Sequence, residues 1–202
     1  MSSFPLSQKY IDFINTTNVS AEFLEGTTAS GKTTVGAGVK FMRMVSQSSK
    51  KIHAIAAKTT GKAEETIIQQ DNGILDLHRN AVYCGNGDKD YKLPHIKFEG
   101  KIIYILGYSS RDKWEMALGA QFGCVYIDEI NTADIEFIRE MSTRNDYLLA
   151  TLNPDDPSLP VYKEFVNRLR NMQKMFRPRL WRNLTKNLCQ IGGTGSFLLP
   201  II

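Results

Sequence analysis

Residues Gly26-Thr27-Thr28-Ala29-Ser30-Gly31-Lys32-Thr33 read G-x-x-x-x-G-K-[ST], and few short strings commit a chain to so definite a local structure. The pattern requires a strand before it and a helix after it. Here the apolar pair Phe23-Leu24 precedes the loop, and a helical stretch opens at its end. Glycines let successive backbone N–H groups turn inward around an anion, and the helix N-terminus adds its positive end. In that arrangement Lys32 reaches the β and γ phosphates of a nucleotide and the Thr33 hydroxyl ligates Mg2+. Gly26, Thr27, Thr28, Ala29, Ser30, Gly31 and Thr34 line the cradle. With glycine at roughly 7% of residues, a random chain of this length matches the pattern about once in a hundred, and correct flanks make chance a poorer explanation still.

Such a loop needs a sheet to carry it. Apolar runs at Glu22–Leu24, Ile52–Ala56, Lys101–Leu106, Cys124–Ile127 and Tyr147–Thr151 alternate with predicted helices over Leu6–Asn15, Lys32–Ser46, Lys62–Arg79, Asp112–Ala117, Thr132–Ser142 and Val161–Arg170. Several runs are continuously apolar, as strands covered on both faces should be. The alternation predicts an α/β fold with a mainly parallel central sheet flanked by helices. Phe98-Glu99-Gly100-Lys101 reads as a hairpin turn that adds an antiparallel strand at the edge. Gly85 to Asp90 reads as a polar loop.

Two further strand ends carry chemistry. Cys124-Val125-Tyr126-Ile127 runs into Asp128-Glu129. Beside a phosphate loop, an Asp at that position holds Mg2+, and the carboxylate after it can act on an attacking water as general base. Asp128 is thus the second metal residue with Thr33, and Glu129 and Lys32 are the catalytic candidates. Tyr147 to Thr151 leads into Leu152-Asn153-Pro154, bringing Thr151 and Asn153 to the carboxyl edge where open α/β sheets bind ligands. There they can sense the γ-phosphate, although Asn-Pro is also a common turn starter.

Composition narrows the remaining classes. The 202 residues carry 25 Lys and Arg against 21 Asp and Glu, a formal net charge of +4. Five of those cations, Lys174, Arg177, Arg179, Arg182 and Lys186, lie in the acid-free stretch from Gln173 to Ile202, leaving a net of −1 for the rest. The basic balance therefore belongs to the tail. Cys84, Cys124 and Cys189 are scattered and lack metal-ligand spacing, and His53, His78 and His95 have no carboxylate or cysteine partners in sequence. Structural roles are expected for all three histidines. The start has no signal-peptide layout and no apolar run approaches a membrane span, so a soluble protein of a reducing interior is expected.

The ordered set of Gln8, GTTASGKTT, CVYIDEI and LLATLNPDDPSLPVYKEF, from about Leu6 to about Arg170, resembles the N-terminal ATPase half of the large terminase subunit of tailed bacteriophages. The resemblance implies a P-loop NTPase of the additional-strand, catalytic-glutamate type occupying residues 1–172. It implies ATP hydrolysis that drives double-stranded viral DNA into the capsid, in the cytoplasm of an infected or lysogenic bacterium. It implies Mg2+ with ATP, a ring homo-oligomer, a small terminase subunit and a portal protein as partners, and no membrane. Lys32 and Thr33 then bind phosphate and metal, Asp128 binds metal, Glu129 is the catalytic carboxylate, Thr151 and Asn153 couple hydrolysis to movement, and Gln8 contacts the adenine side.

The match departs from the family in two ways. Thr28 stands where many members have an arginine in the loop, so Arg111, Arg139 or Arg144 would have to act instead, unless each is a solvated helix-face charge. The family's C-terminal nuclease domain is also missing, so no nuclease activity is expected. Residues 173–202 read as a basic DNA-binding arm with Phe176 and Trp181 to stack on bases, as a solvated tail, or as a shifted reading frame. Codons permitted from Lys174 onward can be chosen so that the shifted frame reads DVPPEIMEELDKEPMPNWRYWFF, an acidic, helix-patterned string. Alternatives to the packaging motor are a helicase-like nucleic-acid ATPase and an inactive truncated nucleotide-binding remnant.

Overall fold

The computed structural model describes residues 7–16, 19–115, 119–167 and 198–201. The described strands form a single sheet. Its parallel centre is β5 (Lys101–Gly107), β2 (Ile52–Ala57), β6 (Phe122–Ile127), β7 (Asn145–Leu152) and β1 (Ala21–Glu25). Antiparallel strands flank it: β4 (His95–Phe98) and β3 (Val82–Cys84) beyond β5, and β8 (Leu198–Ile201) beyond β1. All five predicted strands are present, each extended by a residue or more. β7 lies between β1, which carries the loop, and β6, which ends in the acidic pair; this is the additional-strand arrangement. The predicted hairpin is a two-residue turn with Glu99 at φ 49° and Gly100 at φ 73°, the mirror-image turn that matches strand twist. Sequence reading missed β3, a short strand, and β8, which lies in the tail; the rest of the tail lies outside the described residues, as do its three readings.

Alternation along each central strand feeds two cores. Leu24, Ile55, Tyr126 and Leu149 face one side with Tyr10, Phe13 and Phe41, while Phe23, Val125, Ile127 and Leu148 face the other with Trp114, Phe137 and Met141. The first side is covered by α1 (Gln8–Asn15), by the helix after the loop, by α3 (Thr60–Ala63) and by α4 (Ile74–Leu77). The helix after the loop is π-wound over Thr34–Phe41 and continues as α2 (Met42–Gln47). The second side is covered by α5 (Arg111–Glu115), α6 (Ile135–Thr143) and a π-wound turn at Tyr162–Val166. The predicted helix Lys62–Arg79 is instead broken. After a π-wound stretch, Glu64–Ile68, the chain turns through Asn72 at φ 61° and Gly73, where an added Cβ would lie 2.8 Å from two backbone carbonyl oxygens. Asp71-Asn72-Gly73 is a turn signal that the apolar periodicity masked. After β2 the Thr59 hydroxyl caps α3, accepting the Lys62 N–H at 3.0 Å.

A buried ion pair ties the first layer together. Lys40 and Glu22 are both 0% exposed, with Nζ to Oε2 at 3.3 Å. Lys40 also donates to the carbonyls of Phe13, at 2.7 Å, and Thr16, while the Tyr147 hydroxyl donates to Glu22 Oε2. Burial dominates at both ends, raising the carboxyl and lowering the ammonium from their ordinary ranges, and each partner opposes the other's shift.

His53 and His78 have the structural roles expected of them. His78 Nε2 lies 2.6 Å from the Gly38 carbonyl. His53 Nδ1 accepts the Cys124 N–H at 3.0 Å, just before the β2–β6 ladder begins at Ala54 and Val125, and its Nε2 faces the Lys50 carbonyl at 3.0 Å. His95 is buried at the edge hairpin. The β3–β4 connection, whose polar turn at Gly85 to Asp90 is formed as predicted, brings Cys84 and Asp88 against it, a juxtaposition invisible in their sequence spacing. Cys124 is buried, which pushes its thiol up to about 12 and leaves it unreactive.

Two predictions arise here. Lys40→Met strands the Glu22 carboxylate in the core and should lower unfolding free energy in urea by about 3–5 kcal/mol; adding Glu22→Gln should restore a large part. Burial lowers the His53 imidazole from 6.5 to about 4. The unfolded chain therefore takes up the proton first, so this stabilisation is complete above pH 6.5 and is lost as pH falls toward 4. Between pH 7.5 and pH 5 the loss should be about 2 kcal/mol in urea unfolding, and His53→Asn, whose Oδ1 can replace Nδ1 as acceptor, should not show that increment.

Candidate functional site

β1 ends at Glu25, and the Gly26 N–H donates to the Leu152 carbonyl at 3.2 Å, anchoring the loop to the end of β7. Ala29 at φ 59° and Gly31 at φ 82° are left-handed, which turns the amides of this segment inward as an anion nest requires. At Gly31 the backbone geometry favours glycine. The Tyr10 hydroxyl of α1 donates to the Ser30 carbonyl and holds the loop from outside. Val35 N–H closes on the Gly31 carbonyl at 2.9 Å, starting the helix. Thr27, Thr28 and Ala29 are exposed, Ser30, Thr33 and Thr34 are half-buried, and Gly26 is buried.

Lys32 is buried and lies back along the loop. Its ammonium contacts the carbonyls of Gly26 and, at 2.7 Å, Thr27, and it donates to Asn153 Oδ1 at 3.1 Å. Burial lowers its pKa, with Asp128 and Glu129 opposing. The three adjacent strands thus converge as the sequence implied: the loop of β1, the end of β7 and the end of β6 meet at one carboxyl edge.

Asp128 is fixed by two hydroxyls on Oδ1, Thr151 at 2.7 Å and Tyr126 at 3.0 Å. The Tyr126 hydroxyl also lies 3.5 Å from Thr151 Oγ1. The hard oxygen donors of Thr33 and Asp128 suit Mg2+. Thr151 Oγ1 also accepts the Glu129 N–H at 3.2 Å. Glu129 is exposed and left-handed, φ 48° and ψ 49°, an unfavourable conformation for a residue with a Cβ. Its carbonyl accepts from Thr132 Oγ1 at 2.9 Å, and the Tyr108 hydroxyl lies 3.3 Å from it and 2.7 Å from Thr132 Oγ1. Gln8 begins α1, half a turn before Tyr10, and donates to Asp12 Oδ1 at 2.9 Å.

Sequence reading missed the tyrosines. Tyr126 was discoverable, because residues two apart on a strand share a face and Asp128 was already marked. Tyr162 explains the Val-Tyr-x-Glu-Phe phrase physically: its hydroxyl accepts the Asp155 N–H at 3.1 Å and lies 3.0 Å from Glu25 Oε1 and 3.1 Å from the Asn153 carbonyl, clamping the turn after β7 to the end of β1. The arginines behave as helix-face charges. Arg111 pairs with Glu115 and Glu136, Arg139 with Glu164, and Arg144 with Glu140.

No protein-family model and no curated protein sequence matches the chain. Solved structures do. The large terminase of a thermophilic bacteriophage superposes with a TM-score of 0.65 at 16% identity, covering 91% of this chain and 50% of that one. The same terminase in complex with ATP-gamma-S gives 0.64 at 18% identity, and in complex with ADP 0.64 at 19%, each over 83% of this chain and 43% of that one. The fold is that of these terminases, over half of their length or less. Among the described residues no helix is long and apolar enough to cross a membrane.

The left-handed backbone at Glu129 has a measurable consequence. Glu129→Gly should raise the urea midpoint, by about 0.5–1 kcal/mol of stability, because glycine relieves the conformational cost more than it adds unfolded-state entropy. An unchanged or lowered midpoint would remove the case for strain at this position.

Proposed function

We propose that this chain is the ATPase motor domain of a phage terminase large subunit, hydrolysing ATP to drive double-stranded viral DNA into a capsid. One observation carries the reading: Lys32, Asn153, Thr151, Asp128 and the Glu129 backbone meet at the carboxyl edge of three adjacent parallel strands, with the lysine held by the loop and Asn153 and the acidic pair held by Thr151. Likeness to terminase structures bound to ATP-gamma-S and ADP supports it.

In this reading the loop amides and Lys32 receive the phosphates, and Lys32 exchanges its carbonyl partners for phosphate oxygens. Thr33 and Asp128 hold Mg2+, which neutralises charge on the β and γ phosphates when bound. Glu129, exposed beside them, orients and deprotonates the attacking water. Asn153 Oδ1 accepts from Lys32, so a lysine that turns to a phosphate oxygen frees it. Because Tyr162 ties the Asn153 segment to Glu25, that release can reach the second helical layer, which suits a coupling role for Thr151 and Asn153. Gln8 serves the adenine side from the start of α1. Ring assembly, the small terminase subunit, the portal and a bacterial cytoplasm belong to the same proposal.

Phosphate release by the purified chain with Mg2+ and ATP tests it. Lys32→Ala and Glu129→Gln should each lower turnover by about 100-fold or more, with Glu129→Gln still binding a fluorescent ATP analogue. Turnover indifferent to both substitutions would overturn the reading.

A further inference from the structure

We propose that Cys84, Asp88 and His95 form a binding site for one divalent transition-metal ion, Zn2+ by the character of its donors, which fastens the β3–β4 hairpin at the edge of the sheet far in sequence from the phosphate loop. A thiol sulfur, a carboxylate oxygen and an imidazole nitrogen from these residues all lie within 4.8 Å of one another.

The imidazole points to an ion. His95 is 0% exposed, and its Nδ1 lies 2.8 Å from the Leu93 carbonyl, which makes Nδ1 a donor, so that the neutral ring presents a lone pair on Nε2. That lone pair has no hydrogen-bond partner, and it faces Asp88 Oδ2 at 3.3 Å. Two lone pairs opposed in a buried place repel, and a cation between them turns repulsion into ligation. The carbonyl on the far nitrogen is the outer partner that metal-bound histidines carry, fixing ring orientation and tautomer.

The loop is built to present the other two donors. The Gly87 N–H donates to the Cys84 carbonyl at 3.1 Å, folding the chain back so that Asp88 returns toward Cys84. Gly87 sits at φ 72°, and a Cβ there would meet the Lys92 carbonyl oxygen at 2.4 Å. Asp88 Oδ1 accepts the N–H groups of Asp90, at 2.9 Å, and Tyr91, at 2.7 Å, which leaves Oδ2 to face inward. The Tyr91 ring packs edge-on against His95, with centroids 5.5 Å apart.

Lys97 is the competitor. Its ammonium contacts Asp88 Oδ2 and holds the carboxyl well below its ordinary range. The Lys97 side chain is 46% exposed, so it can turn to water and cede that oxygen. Cys84 and Asp88 are only half-buried, which gives an ion a way in. Thiolate, imidazole and carboxylate together match Zn2+ in tetrahedral coordination, with water in the fourth place, and Cys84 gives its proton to solvent on binding.

The full chain, stripped with a chelator, is titrated with Co2+ as the spectroscopic probe and then with Zn2+ in competition. One equivalent of Co2+ should produce thiolate-to-metal charge-transfer absorption that Zn2+ abolishes, and Zn2+ should raise the melting temperature. Cys84→Ser should lose that absorption while keeping its metal-free circular dichroism, since Cys84 is not a core residue. His95→Gln should weaken Co2+ binding by more than about 100-fold, and Lys97→Ala should strengthen it. Absorption that persists unchanged in Cys84→Ser, or no stoichiometric binding by the parent chain, overturns the proposal; in the latter case His95 is a proton-carrying ion-pair partner of Asp88.

Discussion

The Lys40–Glu22 pair is the interaction on which the first layer depends. Neither charge has access to water, so each is tolerable only with the other in place. The geometry that holds them involves four elements at once: Glu22 on β1, Tyr147 on β7, Lys40 on the π-wound helix after the loop, and carbonyls at the end of α1. An apolar contact would permit α1 to slide, whereas a fully desolvated ammonium does not. The position of α1 then sets where the Tyr10 hydroxyl meets the Ser30 carbonyl, and with it the outer wall of the loop. A buried charge at one end of the helix thus fixes a backbone contact at the other.

Strand order does the equivalent work at the carboxyl edge. With β7 inserted between β1 and β6, Thr151 becomes the neighbour of both the loop and the acidic pair, and one hydroxyl can accept from the Glu129 N–H while donating to Asp128. The left-handed residue follows from that arrangement. Asp128 has to point back at Tyr126 and Thr151, and Glu129 has to leave the sheet immediately, so the chain reverses within one residue and stores the cost at the carboxylate read as the general base.

Much of this was legible in the sequence, and the reasons differ by element. The central strands announced themselves as continuous apolar runs because both faces are covered, and the loop motif fixed their direction and the edge on which Lys32, Asp128, Glu129, Thr151 and Asn153 would meet. Helix continuity was less legible: the run from Lys62 to Arg79 keeps its apolar spacing across a break, because Ile67, Ile68 and Ile74 all reach the same core from separate turns. Non-local pairing was not legible at all. Nothing in the spacing of Cys84, Asp88 and His95 says that a glycine-reversed loop and an antiparallel strand will bring them together, and nothing in Lys40 distinguishes it from a solvated helix lysine.

The tyrosines show why a chain of this kind can keep so many polar groups in its interior. Tyr126 and Tyr162 are among its largest fully buried side chains, and Tyr10, Tyr108 and Tyr147 are also buried. Each has a hydroxyl on a group that the site or its supports depend on: Asp128, Glu25, the Ser30 carbonyl, the Asp128 and Glu129 carbonyls, and Glu22. A phenol delivers a large apolar body to the core and a single polar atom at a fixed reach. Serine or threonine in the same places would bring the hydroxyl without the volume, and phenylalanine the volume without the hydroxyl. Burial raises the pKa of Tyr108, Tyr126, Tyr147 and Tyr162, so these groups remain proton donors across the range in which carboxylates are charged. Asp128 Oδ1 therefore accepts from neutral donors, the Tyr126 and Thr151 hydroxyls, whereas Glu22 pairs a neutral phenol with the Lys40 ammonium.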